Sequence, residues 1–432
     1  MKIWLATIGE PLPVQGGAQD RLHRTGYLAR FLAKHGHDVT WWTSTFDHVR
    51  KRHWFSDDAS VQDGPRLKIE LLHGRGYRSN VSLARFRDHR EIGAKFAQRV
   101  RQVDAVPEII VAALPTIELC AEAVAYGRQF QVPVVLDMRD MWPDIFVNVA
   151  PRPLRPLARR LLRPLFRAAR EACAGATAIT GITDAFVNWG LERGNRQRTA
   201  LDRSFAMGYA STAPEPDAVR QAEAFWDRQG LTGDGSQWLA CFFGTFGRQF
   251  DLDTVLEAAR ETERRGKPIR WVLCGSGDRL EHYRQRSRGL GNVVLPGWVD
   301  AAAIYVLMRR AKVGLDPLPA RFDFLATINN KAIEYLSASL PIVSSPAAGV
   351  LAELLSREQC GRSYAQGDAI GLADLLSRLY DDTAERQRLS TNAGRVFGNC
   401  FRAENIYGDM MAYFGTVVES WQRHSRPTRT AA

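Results

Sequence analysis

Acids are the scarcer charge in this chain: 47 Asp and Glu against 58 Lys and Arg leave a net charge of +11. Such an excess calls for an anionic partner: nucleic acid, acidic lipid or a phosphorylated substrate. Cysteine is also sparse. Its six copies (Cys120, Cys173, Cys241, Cys274, Cys360, Cys400) are scattered, with no Cys-x-x-Cys and no histidine at ligand spacing. That excludes a disulfide framework and argues against structural zinc, and it suits reduced thiols in a cytosolic protein. No apolar run approaches the roughly 20 residues that span a bilayer. The opening strand, Lys2–Thr7, lacks a charged leader, a long apolar run and a cleavage site, so neither a secreted nor an integral protein is expected. No P-loop and no Gly-x-Gly-x-x-Gly opening a helix occurs, so NTPase and dinucleotide readings have no support. The nine histidines fall beside no candidate nucleophile, and no Ser-His-Asp or Cys-His arrangement can be drawn. Low-complexity tracts are missing too.

What is present is core. Hydrophobic residues make up 45% of 432 positions, with 11 Trp and 20 Phe, enough for two domains of about 200 residues each. Strand and helix patterns alternate, the signature of parallel sheets with crossover helices. Strands are expected at Lys2–Thr7, Asp38–Thr43, Lys68–Leu72, Glu108–Ala112, Val132–Leu136 and Ala176–Ile182. After the polar segment Asn195–Gln237 a second series follows: Trp238–Phe243, Ile269–Cys274, Val293–Leu295, Val313–Leu315 and Ile342-Val343. The expected division is a first domain over 1–211, a linker over 212–236, a second domain over 237–400, a helix over 401–422 returning to the first domain, and a tail over 423–432. The fold class is α/β, two doubly wound domains facing across a cleft, with ligands at the carboxyl ends of strands.

The positive charge is concentrated. Between Pro151 and Gly175 stand seven arginines and one acid. Arg155, Arg159, Arg163 and Arg167 recur every four residues, while Leu154, Leu157, Leu161, Leu165 and Ala168 recur at helical spacing on another face. This reads as an amphipathic helix, disturbed by Pro164, suited to an anionic membrane surface. A core-packed helix with a solvated arginine face is the alternative. No aromatics interleave with the arginines, so a nucleic-acid partner is not expected.

Three glycine turns follow strands of the second domain: Gly244-Thr245-Phe246-Gly247, Gly275-Ser276-Gly277 and Gly297-Trp298-Val299. Each could deliver backbone N–H groups to a phosphate or base, or be a plain turn. Arg248 follows the first of them and can pair with a diphosphate. Asp251-Leu252-Asp253 resembles a metal-binding Asp-x-Asp, although Asp251 is better placed as a helix N-cap. In Asn329–Ser345, NNKAIEYLSASLPIVSS, a short helix carries Lys331 and Glu334 three residues apart, behind asparagines Asn329 and Asn330 suited to capping. Diphosphate on Lys331 and ribose on Glu334 is one reading; a surface ion pair is the other. In the first domain, Gly16-Gly17 precedes the helix expected over Ala18–His35 and can cradle an anion or sugar. Asp137-Met138-Arg139-Asp140 ends a strand with charges that need a task or an internal partner.

Taken in order, HGHDVTWWTS, VLDMRDMWPD, the basic helix, ATAITGITDAFVNWGLERG, GTFGRQFDLDTVLEAAR, WVLCGSGDRLEHY, NVVLPGWVD, AKVGLDPL and NNKAIEYLSASLPIVSS resemble the retaining GT-B glycosyltransferases of the family 4 type. The likeness is to those that build bacterial O-antigen, capsule and exopolysaccharide, and it runs over about residues 1–415. It implies transfer of a hexose or N-acetylhexosamine from a nucleotide-diphosphate sugar, UDP favoured, without a metal or other cofactor. By this resemblance Arg248, Lys331 and Asp140 are catalytic. Gly244, Thr245, Gly275, Gly277, Trp298, Val299, Asn330 and Glu334 hold the donor, Glu334 on the ribose. Gly16 and Gly17 with Arg139 and Asp140 line the side of the acceptor and transferred sugar. The implied acceptor is a polyprenyl-diphosphate-linked saccharide, met at the cytoplasmic membrane face through residues 152–170. Two departures stand out. Ala326 replaces the first glutamate of the family's Glu-x7-Glu pair, and Phe250 stands near an expected lysine. A sugar-nucleotide epimerase of the same fold, or a non-catalytic binding scaffold, are the rival readings.

Overall fold

The computed structural model describes residues 1–13, 22–80 and 82–425. Contacts divide the chain into two units, Met1–Ala206 with Ile406 onward, and Met207–Asn405.

The first unit is built on β1 (Lys2–Ala6), β2 (Asp38–Ser44), a hairpin of β3 (Phe46–Asp47) and β4 (Arg52–His53), β5 (Ala59–Gln62), β6 (Leu67–Leu72), β7 (Ile109–Ala113), β8 (Val134–Met138), β9 (Ala178–Gly181) and β10 (Arg203–Ser204). Eight of these form one sheet in the order β10-β9-β8-β7-β1-β2-β6-β5. All its pairs are parallel except β5 with β6. Every residue of β7, β8 and β9 is buried, as expected of parallel strands covered on both faces. Order reverses beside β1, where β7 and β2 flank it. The helix expected over Ala18–His35 is described from Arg24 to Lys34. From Ile406 the long helix Ala403–Ser425 belongs to this unit, with Tyr407 stacked on Tyr27 at 5.8 Å and the Tyr413 hydroxyl donating to the Leu201 carbonyl at 2.7 Å.

The basic segment is not one helix. A short 3-10 turn, Arg152–Leu154, leads into helices Arg155–Leu161 and Arg163–Gly175, with a break at Leu162. Pro156 and Pro164 each stand in the first turn of a helix, where a missing N–H costs nothing. The break splits the expected stripe. Leu154, Leu157 and Leu161 are exposed by 51%, 54% and 71%, so the leucines of the first helix do not pack into the core.

The second unit carries β11 (Trp238–Phe243), β12 (Ile269–Cys274), β13 (Val293–Gly297), β14 (Val313–Pro317), β15 (Ile342–Ser345) and β16 (Gly361–Ser363), all parallel, in the order β13-β12-β11-β14-β15-β16. The order reverses between β11 and β14. Residues 212–236, expected as a linker, fold as part of this unit. Helix Pro216–Arg228 buries Trp226, whose indole N–H donates to the Ala303 carbonyl at 2.8 Å. Polarity hid this helix, because a single buried tryptophan anchors it.

Helix Asn330–Ser337 is pinned to the sheet at one point. The Tyr335 hydroxyl lies 3.1 Å from both the Cys241 and Leu315 carbonyls. The ring sits where a side chain on residue 314 would be, since a Cβ there would meet it at 2.3 Å; hence Gly314. Tyr335→Phe leaves two buried carbonyls without this donor and should lower stability by about 1–3 kcal/mol in urea unfolding. An unchanged denaturation midpoint would remove the pin.

Candidate functional site

At the carboxyl ends of β11, β12 and β13, the three glycine turns are stitched together by main chain. The Gly244 N–H donates to the Cys274 carbonyl (3.0 Å), Gly275 to Gly297 (2.8 Å) and Phe246 to Ser276 (2.8 Å). A Cβ on Gly275 would stand 1.9 Å from the Gly244 oxygen, and one on Gly277 2.4 Å from the Phe246 oxygen. These glycines are therefore required by turn-on-turn packing, whatever else they do. Side chains leave this frame outward. Thr245 and Arg248 are exposed, Trp298 is 71% exposed, and Val299 is nearly covered. Among the described residues Arg248 has no carboxylate partner.

Beside this frame, at the reversal between β11 and β14, lies Lys331, 8% exposed. Asn329, not Asn330, caps its helix: the Asn329 side-chain oxygen accepts from the Ala332 N–H at 2.9 Å. The Asn329 amide nitrogen donates to Asp316 at 2.7 Å, so the β14 carboxylate fixes which way the cap faces. Asn330 is the exposed first residue of the helix. The Lys331 ammonium lies 4.0 Å from the Phe250 ring centroid, 4.9 Å from Phe242 and 5.9 Å from Phe243, and a Cβ on Gly244 would come within 3.0 Å of it. Three ring faces thus receive the cation where the family resemblance led one to expect a second cation. Burial lowers the lysine pKa from its ordinary value, and Asp316 and Glu334 pull it back up. Asp316 is fully buried and its second oxygen has no hydrogen-bond partner. Burial pushes its pKa up, opposed by Lys331 and by the Asn329 bond. Glu334, also buried, follows Lys331 by one turn. The sequence named Lys331 and Glu334; it did not reveal Asp316 or the Phe242–Phe250 box, which come together only through the sheet.

Asp251 behaves as a cap, accepting from the Thr254 N–H at 3.2 Å and from its hydroxyl at 2.7 Å. Asp253 is engaged by His282 at 2.8 Å and Arg279 at 3.1 Å.

In the first unit, Gly16 and Gly17 lie outside the described residues. Arg139 is turned inward. Its guanidinium donates to Asp137 (2.7 Å), to the Thr25 hydroxyl (2.7 Å) and to Glu10. Asp137 is buried and also receives Arg24 at 2.9 Å and the Thr180 hydroxyl at 3.0 Å. Burial alone would raise the Asp137 pKa, but Arg24 and Arg139 together hold it well below the carboxylate range. The internal-partner reading of this strand end describes Arg139; its neighbour Asp140 accepts from the Met141 N–H at 2.8 Å.

A second cluster in this unit had no sequence signal beyond Arg85 and His89 standing one helical turn apart. Arg85 lies over Trp142 at 4.4 Å and over Tyr77 at 5.4 Å, and His89 stacks on Trp142 at 5.6 Å. His48 meets the Tyr77 hydroxyl at 2.6 Å. Burial, then Lys51 and Arg85, lower the His48 pKa to about 4, so its ring is neutral at pH 7. Trp142, Tyr77 and His89 are all buried, so these rings pack the interior of this unit and present no open face.

Residues 238–382 match the family described as Glycosyl transferases group 1. An alpha-D-kanosaminyltransferase of Streptomyces kanamyceticus is 24% identical over 244 residues, which is 55% of this chain and 60% of that protein's length. Three solved structures superpose over nearly the whole chain. Sucrose-phosphate synthase from Thermosynechococcus elongatus has a TM-score of 0.69 at 16% identity, covering 97% of this chain and 99% of that one. HepE of Anabaena in complex with UDP gives 0.65 at 16%, covering 96% and 99%. WaaG, a glycosyltransferase involved in lipopolysaccharide biosynthesis, gives 0.61 at 16%, covering 96% and 99%. The fold is GT-B, with two Rossmann-like domains, and the group 1 match falls on the second.

The Asp137 cluster makes a pH prediction. Its folded pKa lies below the reference 3.8, so its stabilisation is complete above that value and drains as pH falls through and below it. Asp137→Asn should cost about 3–5 kcal/mol at pH 7 and flatten the acid limb of a stability-against-pH curve. An acid limb as steep as in the unsubstituted chain would show that other carboxylates set it.

Proposed function

We propose that this chain is a retaining glycosyltransferase that moves a hexose or N-acetylhexosamine from a nucleotide-diphosphate sugar, UDP favoured, to a lipid-linked saccharide of a bacterial surface polysaccharide. The observation that carries the reading is the buried Lys331, held at the sheet reversal among three aromatic rings, on the first turn of an Asn329-capped helix. A cation kept from water and from direct ion pairing is poised for a diphosphate, and free N–H groups of the helix start lie beside it. The group 1 match over the same unit supports it, as do the GT-B neighbours, one of them holding UDP.

In this reading the bond between the anomeric carbon and the diphosphate oxygen breaks while an acceptor hydroxyl oxygen bonds to the same face of that carbon. The departing phosphate takes the hydroxyl proton. Lys331 and Arg248 neutralise the charge that grows on the diphosphate, without a metal. Glu334 accepts from the ribose hydroxyls, and the Gly297-Trp298-Val299 turn meets the base. Asp140 serves the acceptor side. No helix among the described residues is long and apolar enough to cross a membrane. Attachment is instead assigned to exposed Leu154, Leu157 and Leu161 with the surrounding arginines, on the anionic cytoplasmic face.

Incubation with labelled UDP- and GDP-sugars, with and without a membrane lipid extract, tests the activity. Lipid-dependent transfer is expected, falling on the order of a hundredfold in Lys331→Ala. Sugar isomerisation without an acceptor would identify an epimerase, and binding without turnover a scaffold. Burial lowers the Lys331 pKa in the free protein and a bound diphosphate favours the ammonium, so donor affinity should fall as pH rises through the lysine's free-protein pKa. Pairwise titrations at rising pH should show this fall in the parent chain; if Lys331→Met shows the same pH dependence, another group is responsible. Leu157→Glu with Leu161→Glu should abolish flotation with phosphatidylglycerol vesicles, and undiminished flotation would remove the membrane assignment.

A further inference from the structure

The second unit has a concavity at the opposite edge of its sheet from Lys331. A cavity of about 620 Å³ opens where β14 and β15 begin, lined by Arg309, Lys312 and Arg386 together with Ser339, Thr383 and Ser390. No acid lines it. That is unusual in this unit, where arginines ordinarily find carboxylates: Arg310, next to Arg309, pairs with Asp227 at 2.8 Å, and Arg362 with Glu385 at 2.6 Å.

The three lining cations do otherwise. Arg386 is held by neutral groups, donating to the Leu379 carbonyl at 2.6 Å and lying 3.2 Å from the Thr383 hydroxyl. Burial lowers its pKa, opposed by Asp382, yet Asp382 is occupied in capping helix Thr383–Cys400, accepting from the Glu385 N–H at 2.8 Å. Arg309 meets Tyr305, its hydroxyl at 3.1 Å and its ring at 5.6 Å, and no carboxylate among the described residues. The Lys312 side chain has no hydrogen-bond or carboxylate partner among the described residues. Ser390 donates to the Ser339 carbonyl at 2.7 Å, tying the helix to the turn before β15 and fixing the cavity wall. Three cationic residues thus line one concavity with no carboxylate among its lining residues, a setting that favours an anion.

We propose that this cavity is a second phosphoanion site, separate from the donor site, which takes a phosphoryl or diphosphoryl group from a soluble phosphorylated molecule or from a phospholipid head group. Two guanidiniums and an ammonium among the lining residues supply the fork and point-charge donors that the several oxygens of such a group accept. The Thr383 hydroxyl, which accepts from Arg386, keeps its own hydrogen as a further donor. The cavity's place on the amino edge of the sheet makes it a site for an effector or an anchor and not for the reacting sugar.

Calorimetric titration of the full chain with inorganic pyrophosphate, with and without saturating UDP, tests this. Two classes of binding are expected, one displaced by UDP and one indifferent to it. Arg309→Ala with Lys312→Ala should weaken the UDP-indifferent class about tenfold or more while leaving the other class and the thermal midpoint unchanged. A single class displaced by UDP, or an indifferent class unaffected by these substitutions, would overturn the proposal. If UDP does not bind at all, the donor reading fails, whereas the Lys312-dependent class stays measurable. Vesicles of phosphatidylglycerol in phosphatidylcholine, offered to a chain that already carries Leu157→Glu and Leu161→Glu, distinguish the sources. Residual attachment lost with Arg309→Ala and Lys312→Ala identifies a head group; pyrophosphate binding lost with no attachment to lose identifies a soluble ligand.

Discussion

A lysine taken out of water must keep its charge near something that tolerates it, and the strand ends of the second unit are arranged around that requirement. The Lys331 ammonium has ring faces on one side, with Phe250 at 4.0 Å, and two carboxylates, Asp316 and Glu334, near enough to raise its pKa. Neither burial nor the rings alone would hold it. Asp316 fixes Asn329, Asn329 caps the helix, and the helix presents the lysine. Tyr335 then ties that helix to β11 and β14. Each link is ordinary, and the chain of them places one cation at the point where the sheet order reverses.

The first unit solves the opposite problem. Around Asp137 every charge is answered: two guanidiniums, a threonine hydroxyl, and Glu10 behind Arg139. A network so closed has little left to offer a ligand, and its energetic effect is to fix the ends of β8 and the helix that begins at Arg24. Around Lys331 the account is left open, with a buried Asp316 oxygen lacking a partner. Satisfied charges build the frame, and the unsatisfied ones gather at the strand ends. The same contrast separates Arg310, paired with Asp227, from its neighbour Arg309.

Much of this was legible in sequence. The fully buried strands appear as apolar runs because parallel sheets hide both faces. Asp251 and Asn329 are readable as caps because capping is local chemistry. Lys331 and Glu334 are three apart on a helix, so their juxtaposition needs no tertiary knowledge. What escaped is what the sheet brings together from a distance. Phe250 precedes Lys331 by eighty-one positions, and nothing local says that its ring will face the ammonium. Arg139 could be read as a ligand-facing residue only while Glu10 and Thr25 were out of sight. The helix Pro216–Arg228 was lost in a polar stretch because only Ala222 and Trp226 carry its burial, and the arginine stripe was overextended because periodicity does not register the break at Leu162.

The stitching of the three glycine turns has a consequence for how such a site can change over time. Their main chains are locked to one another, so a substitution at Gly275 or Gly277 would disturb three loops at once. Thr245, Arg248 and Trp298 stand on that locked frame with their side chains in solvent. Inheritance can therefore rewrite these outward side chains one residue at a time while the scaffold stays silent. Novelty here is confined to the outer surface of an otherwise unalterable knot of backbone.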